Sequence, residues 1–127
     1  MKTNPHFLGL RTAICRVPDN EMEAAKTWYS RILGIDPYFD QPFYIGFEVA
    51  GYELGIMPEE KTQAKSDNIL IYWGVIEINE SYKRLLDLGA QAHEKPTDVG
   101  ENLWVATVKD PWDNIFGIIQ NPHFSLT

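Results

Sequence analysis

Apolar and polar positions along the chain fall into two similar successions. Residues 8–17 are apolar at Leu8, Leu10, Ile14, Cys15 and Val17 and stop at Pro18, which predicts a strand. Asp19-Asn20 then offers a helix N-cap, with Glu23 placed to reach back to the free amides of the first turn. Met22, Ala25, Trp28 or Tyr29, Ile32 and Leu33 recur at three- and four-residue steps, so a helix over about 20–33 is expected, ended by Gly34 in the left-handed conformation. Tyr38-Phe39, residues 44–49 and residues 52–57 read as strands, the last two joined by a hairpin at Ala50-Gly51. The polar, aperiodic stretch PEEKTQAKSDN then serves as a connector.

The succession begins again with an apolar strand over 68–75. Asn79 is positioned to cap a second helix to Leu88, apolar at Tyr82, Leu85, Leu86 and Leu88 and followed by Gly89. Residues 90–94, 103–109 and 115–120 complete a second set of strands. Strand, cap, helix, glycine and strands thus occur in the same order twice, a repeat of pattern rather than of identity. The boundaries are a first module at about 7–58, a connector at 59–67 and a second module at about 68–122, within one domain spanning 1–127.

The chain closes with KDPWDNIFGIIQNP, residues 109–122. Asp110-Pro111 opens a tight turn, because proline pre-sets φ and the aspartate bonds to amides beyond it, and Asn114 is expected to take the left-handed position that starts the returning strand. That strand is apolar on both faces, Ile115 and Ile119 on one and Phe116 and Ile118 on the other, so it belongs inside a sheet.

This hairpin, with the Trp28-Tyr29 and Leu33-Gly34 pairs that end the first helix and the second Leu88-Gly89, resembles the glyoxalase / bleomycin-resistance / extradiol dioxygenase superfamily, the vicinal oxygen chelate proteins. The resemblance covers nearly the whole chain. It implies an α+β fold of two βαβββ modules whose mixed sheet curls like a cup, with helices outside and the ligand within. Asp113 stands where the family usually has glycine.

Metal-dependent members of the family chelate a divalent ion with one side chain from the first and one from the last strand of each module, usually His, Gln or Glu. The matching positions are Thr12, Leu70 or Ile71, Glu53 and Gly117. Of these only Glu53 ligates a hard cation well, and zinc, nickel or magnesium needs four to six donors. The expectation is therefore no bound catalytic metal and no cofactor. His6, His93 and His123 lie outside these positions and read as solvated or locally bonded.

Alternation puts Thr12, Ile14 and Arg16 on one face of the first strand. The ligand-binding set expected from this placement is Thr12, Ile14, Arg16, Glu53, Met57 and Tyr72, with Arg16 and Glu53 equally readable as surface charges. Trp73, Trp104 and Trp112 serve either to stack on a planar ligand or, more commonly for the residue type, to fill cores and cover turns.

Composition narrows the classes. A chain of 127 residues makes one domain. Its net charge of -7, from 18 acidic and 11 basic side chains, repels phosphate backbones, so nucleic acid is disfavoured and cationic small molecules are mildly favoured. No apolar run suits a membrane span or a signal peptide, and Cys15 as the only cysteine excludes an internal disulfide and a cysteine-rich zinc site. A cytoplasmic protein without membrane association is expected. Three functions follow: a metal-free binder of a small molecule, similar to the bleomycin-resistance proteins and forming a homodimer; a metal-dependent lyase, isomerase or dioxygenase; or a dimerising module with a filled cleft.

Overall fold

The computed structural model describes residues 6, 8–60, 65 and 69–122. The chain divides into two units, Met1–Pro58 and Glu59–Thr127. Each holds one strand, one helix and three further strands, which makes the fold α+β with a four-stranded mixed sheet per unit.

In the first unit, β1 (Thr12–Val17), α1 (Met22–Leu33), β2 (Phe39–Gln41), β3 (Tyr44–Val49) and β4 (Tyr52–Pro58) form a sheet in the order β1-β4-β3-β2. β1 runs parallel to β4 and the other pairs are antiparallel. The expected first strand loses its start: Leu8 and Leu10 lie outside it, 73% and 56% exposed. Gly9 at φ 96° turns the backbone left-handed there, and Arg11 ties the bend by donating to the Leu8 carbonyl at 2.7 Å. Ala50 and Gly51, both at positive φ, make the two-residue turn that keeps Val49 opposite Tyr52.

The expected Asn20 cap is also replaced. Asp19–Glu21 forms a 3-10 turn, Glu21 is the residue before α1, and no side chain caps that end. The amide of Glu21 bonds to the Pro18 carbonyl at 2.8 Å, which closes that turn. Gly34 ends the helix at φ 73°, in the left-handed cap. Met22, Ala25, Trp28, Tyr29 and Ile32 are buried along α1, which lies on β4. The alternate residues Ala13 and Val17, Ile45 and Phe47, Leu54 and Ile56 are buried too. Each large side chain there contributes about 1.5–3 kcal/mol by leaving water, so the other face of the sheet is free to carry chemistry.

The second unit repeats the plan with β5 (Tyr72–Gly74), α2 (Ile78–Asp87), β6 (Gln91–Asp98), β7 (Trp104–Lys109) and β8 (Ile115–Gln120), in sheet order β5-β8-β7-β6. Glu77, not Asn79, caps α2 by accepting the Asn79 amide at 3.0 Å. The Ile78 amide goes to Gln120 Oε1 at 2.8 Å, which fastens the helix start to the last strand. β6 carries register shifts between Ala92 and Glu94 and between Glu94 and Thr97.

The closing turn is built on Asp110, which is buried. One carboxylate oxygen accepts the amides of Trp112 at 2.9 Å and Asn114 at 2.8 Å, and the other accepts Asn114 Nδ2 at 2.9 Å. The left-handed residue is Asp113, at φ 68°, rather than Asn114. Among the described residues, no helix is long and apolar enough to cross a membrane.

Candidate functional site

Cross-strand partners in a sheet project to the same side. In the first unit Thr12 is opposite Glu53, Ile14 opposite Gly55 and Arg16 opposite Met57, while Glu48 faces Glu53 and Gly46 faces Gly55 from β3. Thr12, Ile14, Arg16, Glu53 and Met57 therefore share the face away from α1. Phe39, opposite Gly46, shares it as well.

Glu53 is the centre of this face. Its Oε1 accepts the hydroxyl of Tyr38 at 2.6 Å, and its Oε2 accepts the hydroxyl of Tyr44 in a short hydrogen bond. The rings reach it because the sheet positions beneath them, 46 and 55, are glycines. A Cβ at Gly55 would stand 2.7 Å from Ile14 Cδ1 and from Tyr44 Cε1, and one at Gly46 would stand 3.1 Å from the Tyr44 ring and 3.2 Å from the Tyr38 ring. The alternation Tyr44-x-Gly46 on β3 and Glu53-x-Gly55 on β4 thus makes the floor on which the tyrosines lie.

The electrostatics follow from this packing. Desolvation, then the hydrogen bond to Glu53 and its charge, hold the Tyr44 hydroxyl well above the ordinary tyrosine range. The hydrogen bond to Glu53, followed by desolvation and the carboxylate's charge, raises Tyr38. Both phenols stay protonated and both remain donors. An open hollow of about 360 Å³ lies here, lined by Arg11, Thr12, Tyr38, Glu48, Tyr52 and Glu53 among others.

Arg16 is half-buried and donates to the Pro58 carbonyl at 3.1 Å, and Arg11 donates to the Leu8 and Leu10 carbonyls at 2.7 and 3.3 Å. Ile14 is exposed, and Met57 half-buried. Tyr38 and Tyr44 were missing from the set expected from sequence; the in-strand glycines two residues after Tyr44 and Glu53 are the signal that points to them.

Tyr72, the remaining residue of that set, belongs to the second unit. It stands on β5 opposite Gly117, so the register places Tyr72, not Leu70 or Ile71, beside that position. A Cβ at Gly117 would meet the Ile71 carbonyl oxygen at 2.6 Å and the Tyr72 ring at 2.8 Å. A hollow of about 410 Å³ in this unit is lined by Tyr72, Glu94, Thr97, Val99, Val105 and Thr107, among others. Beside it His93 Nδ1 lies 2.8 Å from the Thr107 hydroxyl. Trp73 stacks on Phe116 at 6.3 Å, and Trp104 donates to Asn102 at 3.2 Å, so these two tryptophans have partners within the fold. His6 is exposed, and His123 lies outside the described residues.

The donor chemistry does not fit a bound transition metal. Glu53 already gives both oxygens to phenols, Thr12 offers a hydroxyl, and Gly117 offers nothing. Among the described residues, no three His, Cys, Asp or Glu side chains come together as a metal-binding group.

A family model described as Glyoxalase/Bleomycin resistance protein/Dioxygenase superfamily matches residues 9–118. No curated protein matches the chain. Among solved structures, a glyoxalase-related enzyme from Fulvimarina pelagi is similar with TM-score 0.75 at 18% identity, over 95% of this chain and 94% of its own. A glyoxalase/bleomycin resistance protein/dioxygenase family enzyme from Burkholderia phytofirmans PsJN gives 0.72 at 16%, over 89% and 98%. A glyoxalase/bleomycin resistance protein from Albidiferax ferrireducens T118 gives 0.67 at 18%, over 88% and 98%. At these identities the likeness is one of fold.

Proposed function

The chain belongs to the glyoxalase/bleomycin resistance protein/dioxygenase superfamily, and we propose that it is a member that binds a small molecule on the Glu53 face of its first unit without a catalytic metal. One observation carries this reading. The carboxylate at the one expected chelating position able to serve a metal is clamped by the hydroxyls of Tyr38 and Tyr44, so it acts as a fixed hydrogen-bond acceptor in an open hollow. A small concave site with few, well-placed polar groups and aromatic walls is the usual form of a ligand pocket. The net charge of -7 favours small molecules over nucleic acid as partners, the lone Cys15 agrees with a cytoplasmic setting, and a homodimer is the assembly that the resemblance implies.

The test is a thermal-shift screen of small molecules, followed by titration of a hit against Glu53→Ala and Arg16→Ala. Removing the Glu53 carboxylate should weaken binding by roughly 1–3 kcal/mol, and removing Arg16, which donates to the Pro58 carbonyl, should do so only where the ligand reaches that end of the face. Unchanged affinity in both variants overturns the reading. Metal-dependent turnover of a hit, lost in Glu53→Ala, would place the protein with the superfamily's enzymes instead.

A further inference from the structure

We infer that the ligand of the Glu53 face is an organic cation, an ammonium group carried on a small apolar or aromatic body. This rests on the reading above and adds the ligand's chemical class. Both donors to Glu53 are neutral phenols, so their hydrogen bonds orient the carboxylate without cancelling its charge. Two cations stand near: Arg11 lines the same hollow and donates to the Leu8 and Leu10 carbonyls, and Arg16 donates to the Pro58 carbonyl, so neither is drawn onto the Glu53 carboxylate. Among the described residues, no lysine or arginine forms an ion pair with Glu53.

A second carboxylate deepens the asymmetry. Glu48 stands directly opposite Glu53 on the adjoining strand and lines the same hollow, with one oxygen on the Gly51 amide at 2.6 Å. Like charges directly opposite on paired strands repel, and a cation seated in the hollow would offset that repulsion.

The body of the ligand has its own surface. Tyr38, just before β2, and Phe43, in the β2–β3 turn, are each 63% exposed, and Phe39 brings its ring centroid within 6.5 Å of Tyr38, 6.1 Å of Phe43 and 6.0 Å of Tyr44. Exposed aromatic faces next to a carboxylate that has hydrogen bonds but, among the described residues, no ion pair are the arrangement that attracts ammonium groups through ring quadrupole and counter-charge together. A hollow of about 360 Å³ matches a molecule at the small end of ligand size. An anionic ligand would add a third negative charge beside Glu48 and Glu53, and a purely apolar one would shield them from water without supplying a counter-charge.

The experiment is an NMR titration of the full chain with four probes that share one phenyl ring: benzylamine, benzyltrimethylammonium, benzyl alcohol and benzoate. The two cations should shift the signals of Thr12, Tyr38, Tyr44 and Glu53 and bind at least tenfold more tightly than benzyl alcohol, with benzoate weakest and the preference shrinking at high salt. Glu53→Gln should abolish the preference. Glu48→Gln, which leaves the Tyr38–Glu53–Tyr44 clamp intact, should reduce it several-fold. Equal binding of benzyl alcohol and the cations, unchanged in both variants, overturns the cation inference while the small-molecule reading stands. The strongest binding by benzoate, or no shift on this face from either cation, likewise overturns it. Failure of the wider reading appears separately, as unchanged affinity of a screened hit in Glu53→Ala and Arg16→Ala.

Discussion

Tyr44 lies across Gly55, with its hydroxyl on Glu53 two residues earlier in the same strand, β4. A methyl group at Gly55 would stand 2.7 Å from both the Tyr44 ring and Ile14 Cδ1, closer than side chains pack, so either the ring or the strand must move. Gly55→Ala should therefore destabilise the protein by about 1–3 kcal/mol, the range for an overpacked methylene, and should weaken any ligand held at Glu53. Replacing Tyr44 with a smaller residue in the same background should recover part of the loss. Chemical denaturation of the two variants is the measurement, and wild-type stability in Gly55→Ala would mean that the tyrosine does not rest there.

The same pair predicts how stability responds to alkali. Tyr44 is raised by desolvation and then by Glu53, and Tyr38 by its bond to Glu53, so the folded protein holds both protons more tightly than the unfolded chain. Groups raised on folding contribute fully below the unfolded tyrosine value of about 10, and the contribution is lost as pH rises from there toward the folded values. Denaturation midpoints should fall above about pH 10, and they should fall less steeply in Tyr44→Phe. Phenolate absorbance should show two tyrosines titrating late in the folded protein. A midpoint that declines identically in both proteins would remove the Glu53 clamp from the explanation.

Asp113 offers a gain rather than a loss. It holds φ at 68°, a conformation in which an L side chain meets its own backbone, although aspartate tolerates it better than most residues. Asp113→Gly should raise stability by up to about 1 kcal/mol, the steric relief exceeding the added freedom of the unfolded chain. A lower denaturation midpoint in this variant would show that the aspartate side chain contributes more than its strain costs.

Legibility in the sequence divided along physical lines. Ile115–Gln120 and Tyr44–Val49 coincide with the strands expected from apolar runs, and Gly34 ends α1 as expected, because each is decided by local pattern and one steric requirement. The helix starts did not follow the cap rules. Pro18 and Glu77 are set by how the chain leaves the preceding strand, and Gln120 reaches the start of α2 from forty-two residues away, beyond what local sequence expresses. Positions Thr12, Ile14, Arg16, Glu53 and Met57 share a face because period-two alternation survives from sequence to sheet. Tyr38 and Tyr44 escaped because their part depends on register across three strands, which the glycines at 46 and 55 hint at but do not fix.

Gly117 provides the last prediction, since it stands at one of the four positions that the family resemblance assigns to metal ligands. In this chain a Cβ there would lie 2.6 Å from the backbone oxygen of Ile71 and 2.8 Å from the ring of Tyr72, and the first of these atoms cannot swing aside. Gly117→Glu should consequently cost about 1–3 kcal/mol rather than restore a working site, and Tyr72→Ala in the same chain should return only part of that, because the backbone contact remains. Linkage gives the second readout: an ion that binds only the folded state at 100 times its dissociation constant adds about 2.7 kcal/mol. Zn²⁺, Ni²⁺ or Mn²⁺ should raise the melting temperature of neither the wild type nor Gly117→Glu by the several degrees that such a gain would produce. A metal-dependent rise in the wild type that disappears in Glu53→Ala would mean that Glu53 leaves its tyrosines for an ion, and one seen only in Gly117→Glu would mean that β5 yields to the new side chain.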